Sequence, residues 1–291
     1  MTLQNWLLNG EARLRSGPHP ERARRDAELL LLHLIHRDRV FLVAHPLDSL
    51  TAEGAVRYYA LIERRLAGEP IQYITGETEF YGLPFHVNRN VLIPRPETEH
   101  LVEKVLSLAA NLATNFAQPR IVDVGTGSGA IAVALAHKLF AAQIAARITA
   151  IEISAPALAV ARGNALLNGV ADRIRFIEGD LLAPVAAEQF EIVVSNPPYV
   201  SESDRGSLAV EVREFEPALA LFAGSGLDFY RRLIPCARAV LVPGGFLALE
   251  IGCGQDSAVA GLLAGSGFEQ IEFTADLQGI PRVASARRPL Q

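Results

Sequence analysis

From Arg120 to its end the chain alternates short β-branched runs with helical stretches, and this rhythm narrows the possible folds more than any other feature. Strands are predicted at RIVDVG (120–125), RITAIEI (147–153), RIRFIEG (173–179), FEIVVSN (190–196), GGFLALEIG (244–252), EQIEFTA (269–275) and RVASARR (282–288). Helices are predicted between most of them, at 130–140, 155–169, 226–241 and 256–267. Near-continuous apolar strands joined by helical crossovers make an α/β fold, a parallel sheet with helices on both faces. No helix separates the last two strands, so an antiparallel strand is expected near the end. There is no internal repeat and no low-complexity segment.

The first 68 residues have a different texture and read as a small helical domain. Pro20 suits a first helical turn ahead of ERARRDAELLLLHLI, Thr51 can cap AEGAVRYYALIERRLA, and Gly68 stops it. Between 69 and 95, IQYITG, TEFYG and LPFHV read as β-type runs punctuated by glycine and proline, a β-hairpin linker between two bodies. A helix is expected to begin near Glu97, where two acids suit its positive end. The expected organisation is therefore 1–68, 69–95 and 96–291.

Composition excludes several classes. Half of the 291 residues are hydrophobic and 20% are charged, which supports a real core and argues against disorder. No apolar run reaches the length of a membrane span, and MTLQNWLLNGEARLR lacks the pattern of a secretory leader. Cys236 and Cys253 have no metal-type spacing, and His33 and His36, one helical turn apart, lack a third ligand, so no metal is expected. A reducing cytoplasm fits best. The net charge of −5 gives no general attraction to a phosphate backbone. Arg22, Arg24, Arg25, Arg37 and Arg39 lie among Asp26, Glu28 and Asp38 and read as a mixed solvated surface.

In VDVGTGSGAIAVALA a strand runs into Gly125, Gly127 and Gly129 and then a helix. Glycines there let backbone approach a ligand and expose the N–H groups of a helix start. The spacing is G-x-G-x-G, not the dinucleotide fingerprint. Asp123 before the turn could receive an ammonium group, Glu152 at the next strand end could accept both hydroxyls of a ribose, and Asp180 at the third could receive an adenine amino group, with Leu181 offering an apolar face to the ring. Taken singly, the turn belongs to several nucleotide folds, Asp180 is an ordinary turn acid, and Glu152 is a solvated strand end. Jointly, amino acid, ribose and base describe S-adenosylmethionine. The fourth strand, FEIVVS, stops at Asn196, Pro197, Pro198 and Tyr199. Such a corner suits a flat, neutral nitrogen: the Asn196 side-chain oxygen and the Pro197 carbonyl can each accept an N–H, and Tyr199 can stack on the planar group. Holding both hydrogens aims an otherwise delocalised lone pair at the donor methyl.

NPPY after FEIVVS, with VDVGTGSGAI upstream, resembles the amino-group methyltransferases. GEPIQYITGETEFYGLPFHVNRNVLIPRPETEHLVEKVL, EPALAL, GLDFYRRL, PGGFLALEIG and DLQGIPRV narrow the resemblance to the HemK-type release-factor glutamine methyltransferases, over nearly the whole chain. That resemblance implies a helical N-terminal substrate-recognition domain, a hairpin and a Rossmann-like S-adenosylmethionine-dependent catalytic domain. It implies methylation of the side-chain amide of the glutamine in the Gly-Gly-Gln motif of peptide chain release factors. It places Gly125, Thr126, Gly127, Ser128, Gly129 and Glu152 at the cofactor, and Asn196, Pro197, Pro198 and Tyr199 at the substrate, with Asn196 also near the donor methyl. Leu181 stands where some relatives have an aromatic residue, and the first 68 residues match loosely. Two alternatives share the corner: a glutamine methyltransferase acting on a ribosomal protein, which IPRPETE (93–99) counts against, and a DNA adenine methyltransferase, which the acidic balance and the lack of an inserted domain count against. No membrane and no direct nucleic-acid requirement are expected, and nothing demands more than a monomer.

Overall fold

The computed structural model describes residues 1–113 and 116–291. Its chain divides into two compact units, Met1–Glu77 with Leu208–Phe215, and Thr78–Ser207 with Glu216–Gln291.

The first unit is helical: α1 (Leu3–Leu14), α2 (Ala23–Ile35), α3 (Arg39–Ala44), α4 (Ala52–Leu66), α5 (Ile71–Thr75) and the short helix Val210–Phe215. Thr51 caps α4 as expected, its hydroxyl accepting the Gly54 N–H at 3.0 Å, and Asp38 caps α3 in the same way through the Phe41 N–H at 2.8 Å. Trp6, Leu30, Leu31, Tyr58 and Ile62 form its core. The Tyr58, Ile62, Arg65 spacing puts a cation on the buried face of α4, where Arg65 is only 3% exposed. It donates to Asp26 at 2.6 Å, to the Glu69 carbonyl at 3.0 Å and to Glu211 at 3.0 Å. Asp26 is thus buried and paired, a correction to the mixed solvated surface expected around it. A second correction concerns IQYITG, which is not a strand. Ile71 and Ile74 share one helical face against this core, and Gly76 ends the turn at φ 81°. Burial on a 3.6-residue period overrode the β preference of isoleucine and tyrosine.

All but the first residue of the two-stranded hairpin β1 (Glu77–Phe80) and β2 (Leu83–His86) belongs to the second unit, and α6 (Glu99–Leu112) follows. Strands β3 (Arg120–Val124), β4 (Arg147–Glu152), β5 (Ile174–Glu178), β6 (Phe190–Ser195), β7 (Leu241–Glu250), β8 (Glu269–Ala275) and β9 (Pro281–Arg287) form one sheet in the order β5-β4-β3-β6-β7-β9-β8. The first five in that order pair in parallel, while β9 runs antiparallel to both β7 and β8, as the missing crossover foretold. Along β3, Ile121 faces one core with α6 and α7 (Ala130–Ala141), whereas Val122 and Val124 face another. That second core is completed by α9 (Asp228–Val240) and α10 (Asp256–Gly265). The sheet is therefore covered on both faces, and its fully buried strands explain their lack of polar alternation. The chain leaves β3 towards β4 and β5 on one side and returns to β6 on the other. This reversal opens a crevice past the carboxyl ends of β3 and β6.

Candidate active site

A cavity of about 470 Å³ occupies that crevice. Its wall takes Gly125, Thr126, Gly127 and Ser128 from the end of β3, Glu152, Ile153 and Ser154 from β4, Asp180 from beyond β5, and Asn196 and Pro198 from β6. Arg95, Thr98, Phe222 and Phe229 complete much of the rest.

The glycine turn is shaped by positive φ angles of 72°, 56° and 82° at Gly125, Gly127 and Gly129. A Cβ at Gly125 or Gly127 would meet nothing within 4 Å, which leaves their backbone open to a ligand. Gly129 has another task, since a Cβ there would come within 3.1 Å of Ala161 on α8 (Ala155–Leu167) and hold the two helices apart. Glu152 braces this turn: its carboxylate accepts the Gly127 N–H at 2.9 Å and the Ser154 N–H at 3.0 Å. A carboxylate has about four acceptor positions, so about two remain for a diol. Behind the turn, the fully buried Asn164 of α8 donates to the carbonyls of Ser128 and His86 and accepts the His86 N–H at 2.7 Å, fastening hairpin and turn to one helix.

Several predicted residues lie elsewhere than on this wall. Asp123 is fully buried; it accepts the Thr126 hydroxyl at 2.6 Å, while its other oxygen is buried without a partner. Burial pushes its carboxyl up to about 7, with the Glu152 charge adding to the effect and the Thr126 hydroxyl opposing it. Leu181 is a core residue and does not line the cavity. Ile153, half exposed beside Glu152, puts an apolar side chain on the cavity wall, at a position that follows the predicted ribose acid directly. Asp180 does line the cavity and is paired with Arg232 at 2.6 Å.

The corner after β6 is held on several sides. Asn196 and Pro198 face the cavity, Pro197 is buried, and Tyr199 packs its ring on the second core. The Val200 N–H donates to the Leu221 carbonyl at 2.9 Å, and the Tyr199 carbonyl accepts from Gln255 at 3.0 Å. The Asn196 amide nitrogen donates to the Thr98 hydroxyl at 3.1 Å, and the Tyr199 hydroxyl donates to Glu250 at 3.2 Å. Burial and the Glu250 charge raise the Tyr199 phenol well above its ordinary range, so it stays a proton donor at neutral pH. Thr98, Asn164 and Glu250 were not predicted individually; Thr98 and Glu250 sit inside IPRPETE and PGGFLALEIG, segments read for a helix start, a strand and the resemblance. Among the described residues no group of three or more His, Cys, Asp or Glu side chains could hold a metal ion, and no helix is long and apolar enough to cross a membrane.

This sheet order, with a glycine turn, an acid and an Asn-Pro-Pro-Tyr corner at successive strand ends, defines a methyltransferase fold. It is similar to the hMettl16 catalytic domain in complex with MAT2A 3′UTR hairpin 1, at TM-score 0.58 and 16% identity over 91% of each chain. It is also similar to a methyltransferase from Pyrococcus furiosus, at TM-score 0.51 and 18% identity over 72% of this chain and 91% of that one. The models for the PrmC N-terminal domain and the methyltransferase small domain match residues 5–76 and 105–221. Release factor glutamine methyltransferases from Koribacter versatilis and Moorella thermoacetica are 40% and 43% identical, each over 99% of both chains. The chain belongs to the release factor glutamine methyltransferase family.

Proposed function

We propose that the protein transfers a methyl group from S-adenosylmethionine to the side-chain nitrogen of the glutamine in the Gly-Gly-Gln motif of a peptide chain release factor. Full-length similarity to relatives of that name carries the substrate, and the amide acceptor at Asn196 beside the glycine turn carries the chemistry. The donor supplies an electrophilic methyl on a positively charged sulfur, which keeps the bonding pair as the methyl leaves.

The residues of this chain bind, orient and desolvate. The open backbone of Gly125 and Gly127 suits the amino-acid portion, the spare acceptor positions of Glu152 suit the ribose hydroxyls, and Ile153 suits the adenine face. With its nitrogen turned to Thr98, Asn196 has its oxygen free to accept one N–H of a carboxamide, and the Pro197 carbonyl can accept the other. Gripping both hydrogens opposes delocalisation of the lone pair and favours a tetrahedral nitrogen as the new bond forms. The product nitrogen then sheds a proton, so no base is needed beforehand. Pro198, beside Asn196 on the cavity wall, narrows the approach to this nitrogen. The reading needs no metal, and a single chain suffices for every role.

The experiment is incubation with labelled donor and, in separate arms, a release factor, a ribosomal protein or duplex DNA. Mass spectrometry is expected to find one methyl gained on the Gly-Gly-Gln peptide. Label in either of the other arms alone would replace this reading.

A further inference from the structure

The wall of the cavity carries a guanidinium with no part in the transfer itself. Arg95 stands between Pro94 and Pro96, so its backbone is held extended, at φ −101° and ψ 144°, and its side chain starts from a fixed point. Its Nη2 donates to Glu216 at 2.5 Å, and Glu216 is only 6% exposed. Arg95 itself lines the cavity, with 32% of its side chain exposed. A buried carboxylate is costly unless a cation meets it, which accounts for the pairing. It does not account for a cation placed on a cavity wall.

The pair brackets the amide corner. On the Arg95 side, the Thr98 N–H donates to the Arg95 carbonyl at 3.1 Å, and the Thr98 hydroxyl accepts the Asn196 amide nitrogen at 3.1 Å. On the Glu216 side, Pro217 and the short helix Ala218–Leu221 follow, and the Leu221 carbonyl accepts the Val200 N–H just past Tyr199. Arg95 is therefore tied to both ends of residues 196–200 and stands on the acceptor side of the cavity. The glycine turn on the donor side is fastened separately, through the Ser128 carbonyl and Asn164.

We infer that Arg95 is a substrate-binding residue that sets specificity: its guanidinium, held by Glu216, donates to a main-chain carbonyl of the Gly-Gly segment leading into the glutamine. The inference rests on the reading that the acceptor is a Gly-Gly-Gln tip entering at Asn196.

Glycines carry no side chains, so the polar groups by which a Gly-Gly segment can be read are its N–H groups and its carbonyls. A guanidinium has five N–H donors in a planar fork, and Glu216 takes one, which leaves about four for carbonyl oxygens. The rival ligand in the same cavity is the carboxylate of the donor. That group has the N–H groups of the glycine turn and of the start of α7 to receive it. Glu216 also offsets the Arg95 charge, which weakens both its pull on an anion and its push on a positively charged sulfur. What remains is a rigid set of N–H donors suited to neutral oxygens.

The test is steady-state methylation of a release factor by the wild type, Arg95→Gln, Arg95→Lys and Asn196→Ala, with donor affinity measured by calorimetry on the same proteins. In Arg95→Gln, kcat/KM for the release factor should fall by about tenfold or more through KM, the worth of one hydrogen bond to a charged group. Donor affinity should hold within about twofold. Arg95→Lys still gives Glu216 a cation but no fork, so it should keep the wild-type melting temperature and remain impaired in KM for the release factor. That split separates substrate binding from support of Glu216, which a lysine restores. If Arg95→Gln does not fold, Arg95→Lys carries the decision. Wild-type KM for the release factor in either folded variant overturns the inference. So does a loss of donor affinity of about tenfold, which would put the guanidinium on the donor carboxylate. Failure of the wild type to methylate the release factor, or full turnover in Asn196→Ala, removes the functional reading beneath it.

Discussion

The helical unit and the sheet unit treat buried charge in opposite ways. Around Arg65 every buried charge has a partner: the guanidinium sits between Asp26 and Glu211, and Glu69 is bridged to Arg64 at 2.8 Å. The sheet unit follows the same practice at the amino ends of β3 and β6, where Arg120 and Glu191 bond at 2.7 Å. At the carboxyl ends it does not. Asp123 and Glu250 are buried with hydroxyls as their direct partners, and both carboxyls are pushed up to about 7. Paired charges specify a packing; unpaired ones near a crevice mark where the protein keeps an expensive arrangement for use.

That contrast can be broken most forcefully at Arg65. Arg65→Met leaves Asp26 buried without a cation, while Glu211 keeps Arg22 at 3.2 Å, and a loss of about 3–5 kcal/mol in denaturant unfolding is expected for the transition that reports the helical unit. A loss under about 1 kcal/mol would mean that water replaces the guanidinium freely. Next comes Asn196→Ala, expected to lower turnover by roughly 10²-fold while calorimetry finds the donor bound as before. Glu152→Ala is the converse, weakening donor binding by about 1.5–3 kcal/mol with turnover at saturating donor much less affected. Unchanged affinity would put the ribose elsewhere.

The smallest effect concerns pH. Below about pH 4 Asp123 is protonated in both folded and unfolded chains and costs nothing. As pH rises from there to about 7 the unfolded chain ionises while the folded carboxyl keeps its proton, so stability is lost across that window and levels off above it. Asp123→Asn has no such slope. Unfolding midpoints at pH 5 and pH 8 should show the variant gaining on the wild type by on the order of 1–2 kcal/mol. Parallel pH dependences would show Asp123 to be solvated or paired.

Much of the catalytic fold was legible because its strands carry their own signal. Seven strand segments and four crossover helices lie where periodicity and glycine punctuation put them, and the antiparallel end follows from a missing helix. Gly125, Gly127, Glu152 and Asn196 were legible for a related reason: strand ends converge in a parallel sheet, so residues far apart in sequence reach one crevice by topology alone. Leu181, offered as an apolar face for the ring, lies in the second core while Asp180 lines the cavity, a one-residue difference past a strand end that the sequence does not resolve. Asn164 gave no signal, since an asparagine in a helix reads as solvent-facing until its partners are known.

By itself, the order of residues determined the layered sheet, the glycine turn and the amide corner, because each depends on local periodicity, φ preference or chain direction. Tertiary structure alone decided that Ile71–Thr75 is a helix, that Arg65 is buried, and that Thr98 and Glu250 stand behind Asn196. Those outcomes depend on which surfaces remain to be covered and which charges meet across 39 residues or more of chain, and such distances are set only when the core closes.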